Sequence, residues 1–377
     1  MNPLLSVVVP TSRDPATLPK VLGALARSDL PRKFWELVIV NDGTTDATVA
    51  AAAPFADTIV RIAGRPHGPA YARNRGVEVA RGEIVVFVDA DLVVRPDTLR
   101  RFAWAFLQSP DVAAVYGAYA TDGESRGLIS QYRDLLNHHL HHHGRGQGDG
   151  FWVDCGAVRR EALLAVGMFN EWLFTRPQIE ALELGQRLRG QGYRIEYHGE
   201  IQGTHLKRWT LFGMIAADLK DRGVPRSRLS AEVHNATDRR LPGDQEPLLG
   251  GLTWLGLIAS VSGAVIGRPW LLAFGILNLL LVLLLDLPVF ALFKRQRGIA
   301  TAVLVAPLHV LHHLLGGIAL VLGTVLRHSV GDPQPSATVQ AFSEVGVVKW
   351  PPVPRQPDRS ASSGTTPPGG VDRTTPP

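Results

Sequence analysis

"EIVVFVDADLVV" (residues 83–94) runs without a break through the apolar residues Ile84 to Val88 and then sets two carboxylates, Asp89 and Asp91, around a single alanine. A short apolar run rich in β-branched residues predicts a strand buried on both faces. Similar runs stand on either side: "LLSVVVP" (4–10), "FWELVIVND" (34–42), "ADTIVRI" (56–62) and "VAAVYGAYA" (112–120). Between them lie helical patterns. Leu18, Val21, Leu22 and Leu25 share one face, and "GPAYARNRGVEVAR" (68–81) and "PDTLRRFAWAFLQS" (96–109) also read as helices. Alternating strands and helices predict an α/β fold with a parallel or mostly parallel sheet, covered on both faces. Ligands of such sheets bind beyond the carboxyl ends of the strands. Three polar groups fall there: Pro10 to Asp14, Asn41 with Asp42, and Asp89 with Asp91. Two acids at a strand end suit Mg²⁺ or Mn²⁺ with diphosphate oxygens completing the shell. An ordinary turn capping the next helix would read the same way, and Asp42 before Gly43 could equally make an Asx turn.

Composition changes along the 377 residues. Residues 1–245 mix apolar and charged residues, 246–330 are almost wholly apolar, and 331–377 are rich in Pro, Ser, Thr and Gly, which predicts a disordered tail. The apolar part holds three runs, 250–267, 270–293 and 299–326. About three transmembrane helices are expected, the first run being barely long enough. Lys294, Arg295 and Arg297 follow the second run, and Arg239 and Arg240 precede the first. With three spans both clusters fall on one side, which the positive-inside rule makes cytoplasmic. The expectation is a multi-pass protein of the cell membrane with its globular part in the cytoplasm. A single cysteine, Cys155, excludes an internal disulfide. The net charge of +5 comes with no basic run interleaved with aromatics, so nucleic acid is not expected as a partner. Contact with anionic lipid fits better.

The chain resembles the family-2 glycosyltransferases of GT-A fold. The motifs that carry the resemblance are "SVVVPTSRD", "VIVNDGTTDAT", "GPAYARNRGVEVARGEIVVFVDADLVVRPDTL", "FWVDCGAVRREALLAVGMFNE", "ELGQRLRGQGYRI" and "HLKRW". It implies a GT-A (nucleotide-diphospho-sugar transferase, Rossmann-like) domain over residues 1–245. The implied reaction moves a sugar, with inversion, from a nucleoside diphosphate sugar to a lipid-linked or cell-envelope acceptor, with a divalent metal, Mn²⁺ or Mg²⁺. By the resemblance, Pro10, Thr11 and Asp14 belong to the nucleotide-binding first loop, and Asp42 holds the base or ribose. Arg73, Asn74 and Gly76 support the nucleotide, and Asp89 and Asp91 form the metal and ribose motif. His205 stands where some relatives supply a metal ligand. Arg208 and Trp209 end a motif usually written Gln-x-x-Arg-Trp. Arg208 would offset charge on the leaving diphosphate.

One departure bears on mechanism. Relatives that glycosylate hydroxyls carry Glu-Asp before "RLR", and that Asp is the base; this chain has Glu180 followed by Ala181. Three explanations stand. Glu180 or Glu183 substitutes; or the acceptor is an anion such as polyprenyl phosphate and needs no base; or the chain is a catalytically silent relative that binds a nucleotide sugar or a partner enzyme. A processive polysaccharide synthase is less compatible with "HLKRW" and three short spans.

"GLISQYRDLLNHHLHHHGRGQGDG" (127–150) places Leu128, Tyr132, Leu135 and Leu136 on one helical stripe, expected at the membrane surface. Its His138, His139, His141, His142 and His143 could bind an acceptor phosphate or zinc, or form a polar loop. Asp286 is expected at an interface near Lys294, and His309, His312 and His313 are expected to face other helices. No nucleophilic role is expected for Cys155, since inversion forms no covalent intermediate.

Overall fold

The computed structural model describes residues 2–12, 16–43, 45–121, 127–142, 151–228, 246–331 and 345–348. The predicted strands form: β1 (Leu5–Thr11), β2 (Trp35–Asp42), β3 (Thr58–Ile62) and β4 (Ile84–Val88), followed by short β5 (Leu92–Val94) and β6 (Val112–Tyr119). β7 (Cys155–Arg159) and β8 (Arg194–His205) complete this part of the sheet. The helices are α1 (Leu18–Ala26), α2 (Asp46–Ala52), α3 (Pro69–Val79), α4 (Thr98–Gln108), α5 (Leu128–His142), α6 (Arg160–Ala165) and α7 (Glu180–Gly190).

The sheet order is β5-β8-β6-β7-β4-β1-β2-β3-β9, where β9 is Val345–Val348. β1, β2, β3 and β4 are parallel, as expected, but β7 runs antiparallel between β4 and β6, so the sheet is mixed. That reversal matters for the site, because it brings the residue preceding β7 to the edge where β4 ends. β9 pairs antiparallel with β3, so a strand forms within the stretch expected to be a disordered tail.

Alternation along the central strands explains their unbroken apolarity. Leu5, Val7 and Val9 of β1, Leu37 and Ile39 of β2, and Ile84, Val86 and Val88 of β4 join one core with α1 and α4. Val8, Val38, Val40, Val85 and Phe87 point the other way, into a second core with α3, α6 and α7. Each strand is buried twice, so neither face can be polar.

After β8 come α8 (Leu211–Ala216) and a π-helical turn, Ala217–Gly223. The apolar part folds as α9 (Glu246–Ile266), α10 (Pro269–Leu285), α11 (Leu287–Arg297), α12 (Ile299–Leu304) and α13 (Ala306–Val330). Two stretches, Pro247–Ile266 and Ile299–Val330, are long and apolar enough to cross a membrane, and a third is added if α10 and α11 count as one span. They meet at 63°, so the run 270–293, expected as one ample span, is broken. Pro288 lies in the first turn of α11, where its ring and missing N–H interrupt a continuous helix. At the break Asp286 comes within 2.7 Å of both His309 and His313, so its carboxylate is paired inside the protein.

The stripe on α5 is also placed differently from expectation. Tyr132, Leu135 and Leu136 are covered by Met214, Val289, Phe293, Ala302 and Val305, so protein rather than lipid lies over them. The α/β and apolar parts therefore share a core. Arg297 reaches the carbonyl of Thr121 at 3.3 Å, and Ser227 reaches that of Ala319 at 3.1 Å.

Candidate active site

The carboxyl edge of the sheet opens into a cavity of about 1200 Å³. Asp89 follows β4 directly, and its N–H donates to the carbonyl of Asp154, the residue before β7, at 3.3 Å. Asp91 is held through its carbonyl, which accepts from Leu206 N–H at 2.8 Å, next to the pairing of Leu92 with His205. Four elements thus bring Asp89, Asp91, Asp154 and His205 to one wall of the cavity.

Arg73 organises this wall from below. Its guanidinium is 2% exposed and bridges Asp89 Oδ1 at 2.8 Å and Glu180 Oε1 at 2.9 Å. Removing one partner of such a buried pair costs about 3–5 kcal/mol. Burial, with Asp154 and Asp91 nearby, pushes the Asp89 carboxyl up to about 7 despite Arg73. Burial would also raise Asp91, but His205, 3.4 Å away, and Lys207 hold it below its ordinary value. Burial would lower His205, yet Asp134 and Asp91 raise it to about 9, so it clamps Asp91 as an imidazolium. Its ring lies 5.0 Å from that of Tyr119, whose hydroxyl donates to Asp154.

The donor set fits a hard divalent cation. Asp89 and Asp91 keep 27% and 34% of their side chains exposed toward the cavity, and the raised Asp89 marks a wall short of positive charge. Asp91 and His205 stand 3.4 Å apart, and His205 would have to release its proton to act as a ligand.

The residues singled out in the sequence divide into three groups. Pro10, Thr11, Asp42, Arg73, Asp89, Asp91, Glu180, Ala181, His205, Arg208 and Trp209 all line the cavity. Thr11 Oγ1 is buried there with no hydrogen-bond partner among the described residues. Asp42 is present, but its oxygens accept from the backbone N–H groups of His67 and Gly68, at 2.8–3.0 Å, so it shapes the entry to α3. Gly68 is needed in that loop: its φ is +107° and a Cβ there would stand 2.5 Å from Thr175.

Asn74, Gly76 and Glu183 do not line the cavity. Asn74 bonds Phe169 and Glu171, and a Cβ on Gly76 would meet Val8 at 2.4 Å, so both act through packing. Glu183 pairs with Arg187 at 2.6 Å. Glu180 is also unsuited as a base, since Oε1 is bonded to Arg73 and Oε2 accepts from Gln178 N–H at 2.8 Å. Asp14 and His143 lie outside the described residues, as do the side chains of His141 and His142. His138 is buried against the carbonyl of Tyr119, and His139 lines the cavity.

Sequence reasoning missed Asp154 and Arg222. The first precedes a small-residue strand in a motif whose role was not assigned to an acid; the second sits in a π-turn that periodicity does not reveal. Arg222 faces the cavity, bonded to Asn137 at 3.2 Å and stacked over Trp152. Among the described residues no carboxylate lies within ion-pairing distance of it. Burial, and then Arg133, lower it to about 10.

A mixed sheet with cavity-facing acids on its carboxyl edge, backed by helices on both faces, is the GT-A glycosyltransferase build. Residues 6–167 match the glycosyl transferase family 2 model, so this part of the chain is a family 2 glycosyltransferase domain. Among solved structures it resembles the mannosyltransferase PcManGT from Pyrobaculum calidifontis in complex with GDP-Man and Mn²⁺, with a TM-score of 0.52 and 22% identity over 88% of this chain and 89% of that one. Curated relatives include the poly(ribitol-phosphate) β-N-acetylglucosaminyltransferase TarS of Staphylococcus aureus, 31% identical over 25% of this chain and 17% of TarS. The undecaprenyl-phosphate 4-deoxy-4-formamido-L-arabinose transferase of Aeromonas hydrophila is 31% identical over 34% of this chain and 41% of that protein. The chain thus spans less than half the length of either relative.

Proposed function

We propose that this protein is an inverting glycosyltransferase that moves a sugar from a nucleoside diphosphate sugar onto a lipid-linked phosphate, with its catalytic part on the cytoplasmic side of the membrane. The observation that carries the acceptor assignment is Ala181. It lines the cavity where a base would stand, while Glu180 and Glu183 are both held in ion pairs. A hydroxyl acceptor would have to lose a proton there; a phosphate monoester is already anionic and attacks once positioned. The undecaprenyl-phosphate transferase among the relatives supports the same acceptor class.

The donor's nucleotide would lie along Pro10, Thr11 and the loop that Asp42 fixes. A divalent ion held by Asp91 and His205, with Asp89 beside them, would supply charge to stabilise the departing diphosphate. Arg73 orients Asp89 and favours its ionised form against the burial that raises it, and Arg208 and Lys207 add positive charge to the cavity lining. Arg222, a cavity-facing cation without a carboxylate partner among the described residues, would hold the acceptor phosphate. As that phosphate oxygen bonds to the anomeric carbon, the bond from this carbon to the nucleoside diphosphate breaks on the opposite face, and no proton is transferred.

α9 and α10 form a hairpin packed closely through Gly256, Gly263 and Gly275, and at about 1.5 Å per residue α9 matches a hydrocarbon core. A hairpin that crosses and returns leaves the basic cluster Lys294–Arg297 beside the catalytic part, in keeping with Arg297 on Thr121.

The test is transfer by the purified full chain in detergent with Mn²⁺, across a panel of nucleotide sugars, to polyprenyl phosphate and to the free polyprenol. Turnover with the phosphate alone is expected, abolished by Asp91→Asn and lowered about tenfold or more by Ala181→Asp, whose new carboxylate repels the acceptor. A gain with polyprenol in Ala181→Asp would reassign the acceptor to a hydroxyl. Tight nucleotide-sugar binding without turnover would leave a silent relative.

A further inference from the structure

The cavity has a second polar end, toward the apolar helices, that the reaction above does not use. Asp286, at the break between α10 and α11, places Oδ2 2.7 Å from Nε2 of His309 and 2.7 Å from Nε2 of His313. The two Nε2 atoms are 3.3 Å apart. His309 and His313 are four residues apart on α13, so both rings leave the same helical face. Among the described residues this is the only trio of His, Cys, Asp or Glu whose ligand atoms converge within 4.8 Å. Both histidines are almost fully buried, and all three residues line the cavity that Asp89 and Asp91 face.

We propose that Asp286, His309 and His313 bind one borderline divalent transition ion of the zinc type, leaving a coordination position open to the cavity. Two imidazoles and a carboxylate suit such an ion, whereas the oxygen-rich wall at Asp89 suits Mg²⁺ or Mn²⁺. With Zn–N bonds of about 2.0–2.1 Å, a tetrahedral edge is about 3.3–3.4 Å, which the two Nε2 atoms already match. The two N···O contacts would lengthen by about half an ångström as an ion enters. His309 also has the outer hydrogen bond that metal-bound imidazoles require: its Nδ1 is 3.0 Å from the Tyr132 hydroxyl, which can accept from Nδ1–H once Nε2 binds metal. The competing arrangement is a carboxylate oxygen that accepts N–H bonds from both rings and holds the helix break without metal. The open position would receive an anionic acceptor oxygen; that part rests on the lipid-phosphate reading, and metal binding does not.

The experiment uses the full chain purified in detergent, stripped with a chelator and reloaded with Zn²⁺ or Co²⁺ alone. About one zinc per chain is expected in the wild type and in Asp91→Asn, with affinity about tenfold or more lower in Asp286→Asn and His313→Ala. Tyr132→Phe, which keeps the packing but removes the outer hydrogen bond, is expected to weaken zinc by about 10–100-fold. Co²⁺ is expected to give the intense visible absorption of a tetrahedral site. Should the His309→Ala/His313→Ala double variant fail to fold, Tyr132→Phe and the cobalt spectrum decide. Folded wild-type chain that takes up no zinc on reloading, or zinc retained when both histidines are gone, overturns the site. Inorganic phosphate is expected to shift the cobalt spectrum, and no shift overturns the open position. Zinc binding with no transfer to polyprenyl phosphate would overturn the proposed acceptor and leave the metal site standing.

Discussion

Cys155 is 3% exposed beside Asp154 and Asp89, and burial, with those acids, pushes its thiol up to about 12. Thiolate is therefore scarce at neutral pH. The native protein is expected to resist iodoacetamide at pH 8 and to be alkylated only after unfolding, as mass spectrometry would show; rapid labelling of the folded chain would contradict this packing. Asp218 makes the opposite case. Burial would raise its carboxyl, but Arg133 at 2.6 Å, with His312 and Arg222 nearby, holds it well below the usual carboxylate range. A depressed native pKa means that the ion pair contributes stability above the unfolded value of about 3.9 and loses it as pH falls through the lowered value. Asp218→Asn should cost about 3–5 kcal/mol at pH 7, and its stability should vary less with acidification than that of the wild type between about pH 4 and pH 2, read from denaturant midpoints. Neither environment was legible from residue type, since Arg133, Asp218 and His312 meet across three separate elements.

α3 shows how an element serves the site through its buried face. Its first turn carries Arg73 into the cavity wall, while Gly76, one turn on, lets the helix lie directly on β1 and β2. Gly76→Ala is expected to destabilise the protein by about 1–3 kcal/mol, because the new methyl overlaps Val8 and approaches Val40 at 3.1 Å. Equal denaturant midpoints for variant and wild type would show that the helix can retreat at no cost. The strand and helix pattern of the catalytic part was legible because each central strand is buried on both faces and each helix on one. The break at Asp286 was not. A run of apolar residues reads as one span, and Pro288 marks a weak point without saying whether neighbouring helices will bend the chain there.

At the scale of the molecule, α11 and α13 dock on α5 and the π-turn, so the apolar part forms one end of the cavity that Asp89 and Asp91 face. The proposed topology rests on the hairpin. Arg268→Cys, at its tip, is expected to react with a membrane-impermeant maleimide in intact cells, and Arg297→Cys only after the membrane is opened; Cys155 is too buried to interfere. The reverse pattern would place the catalytic part outside.

The alternation of strands and helices along the chain, the acids at Asp89 and Asp91 and the substitution at Ala181 were determined by sequence, because burial and turn chemistry leave a local periodic signature. Which carboxylates are free, how Arg73 ties Asp89 to Glu180, and how Asp286 finds His309 and His313 were decided only by tertiary structure. These contacts join residues from 16 to 107 positions apart. Their energy comes from burial and close approach across elements, which no local pattern records.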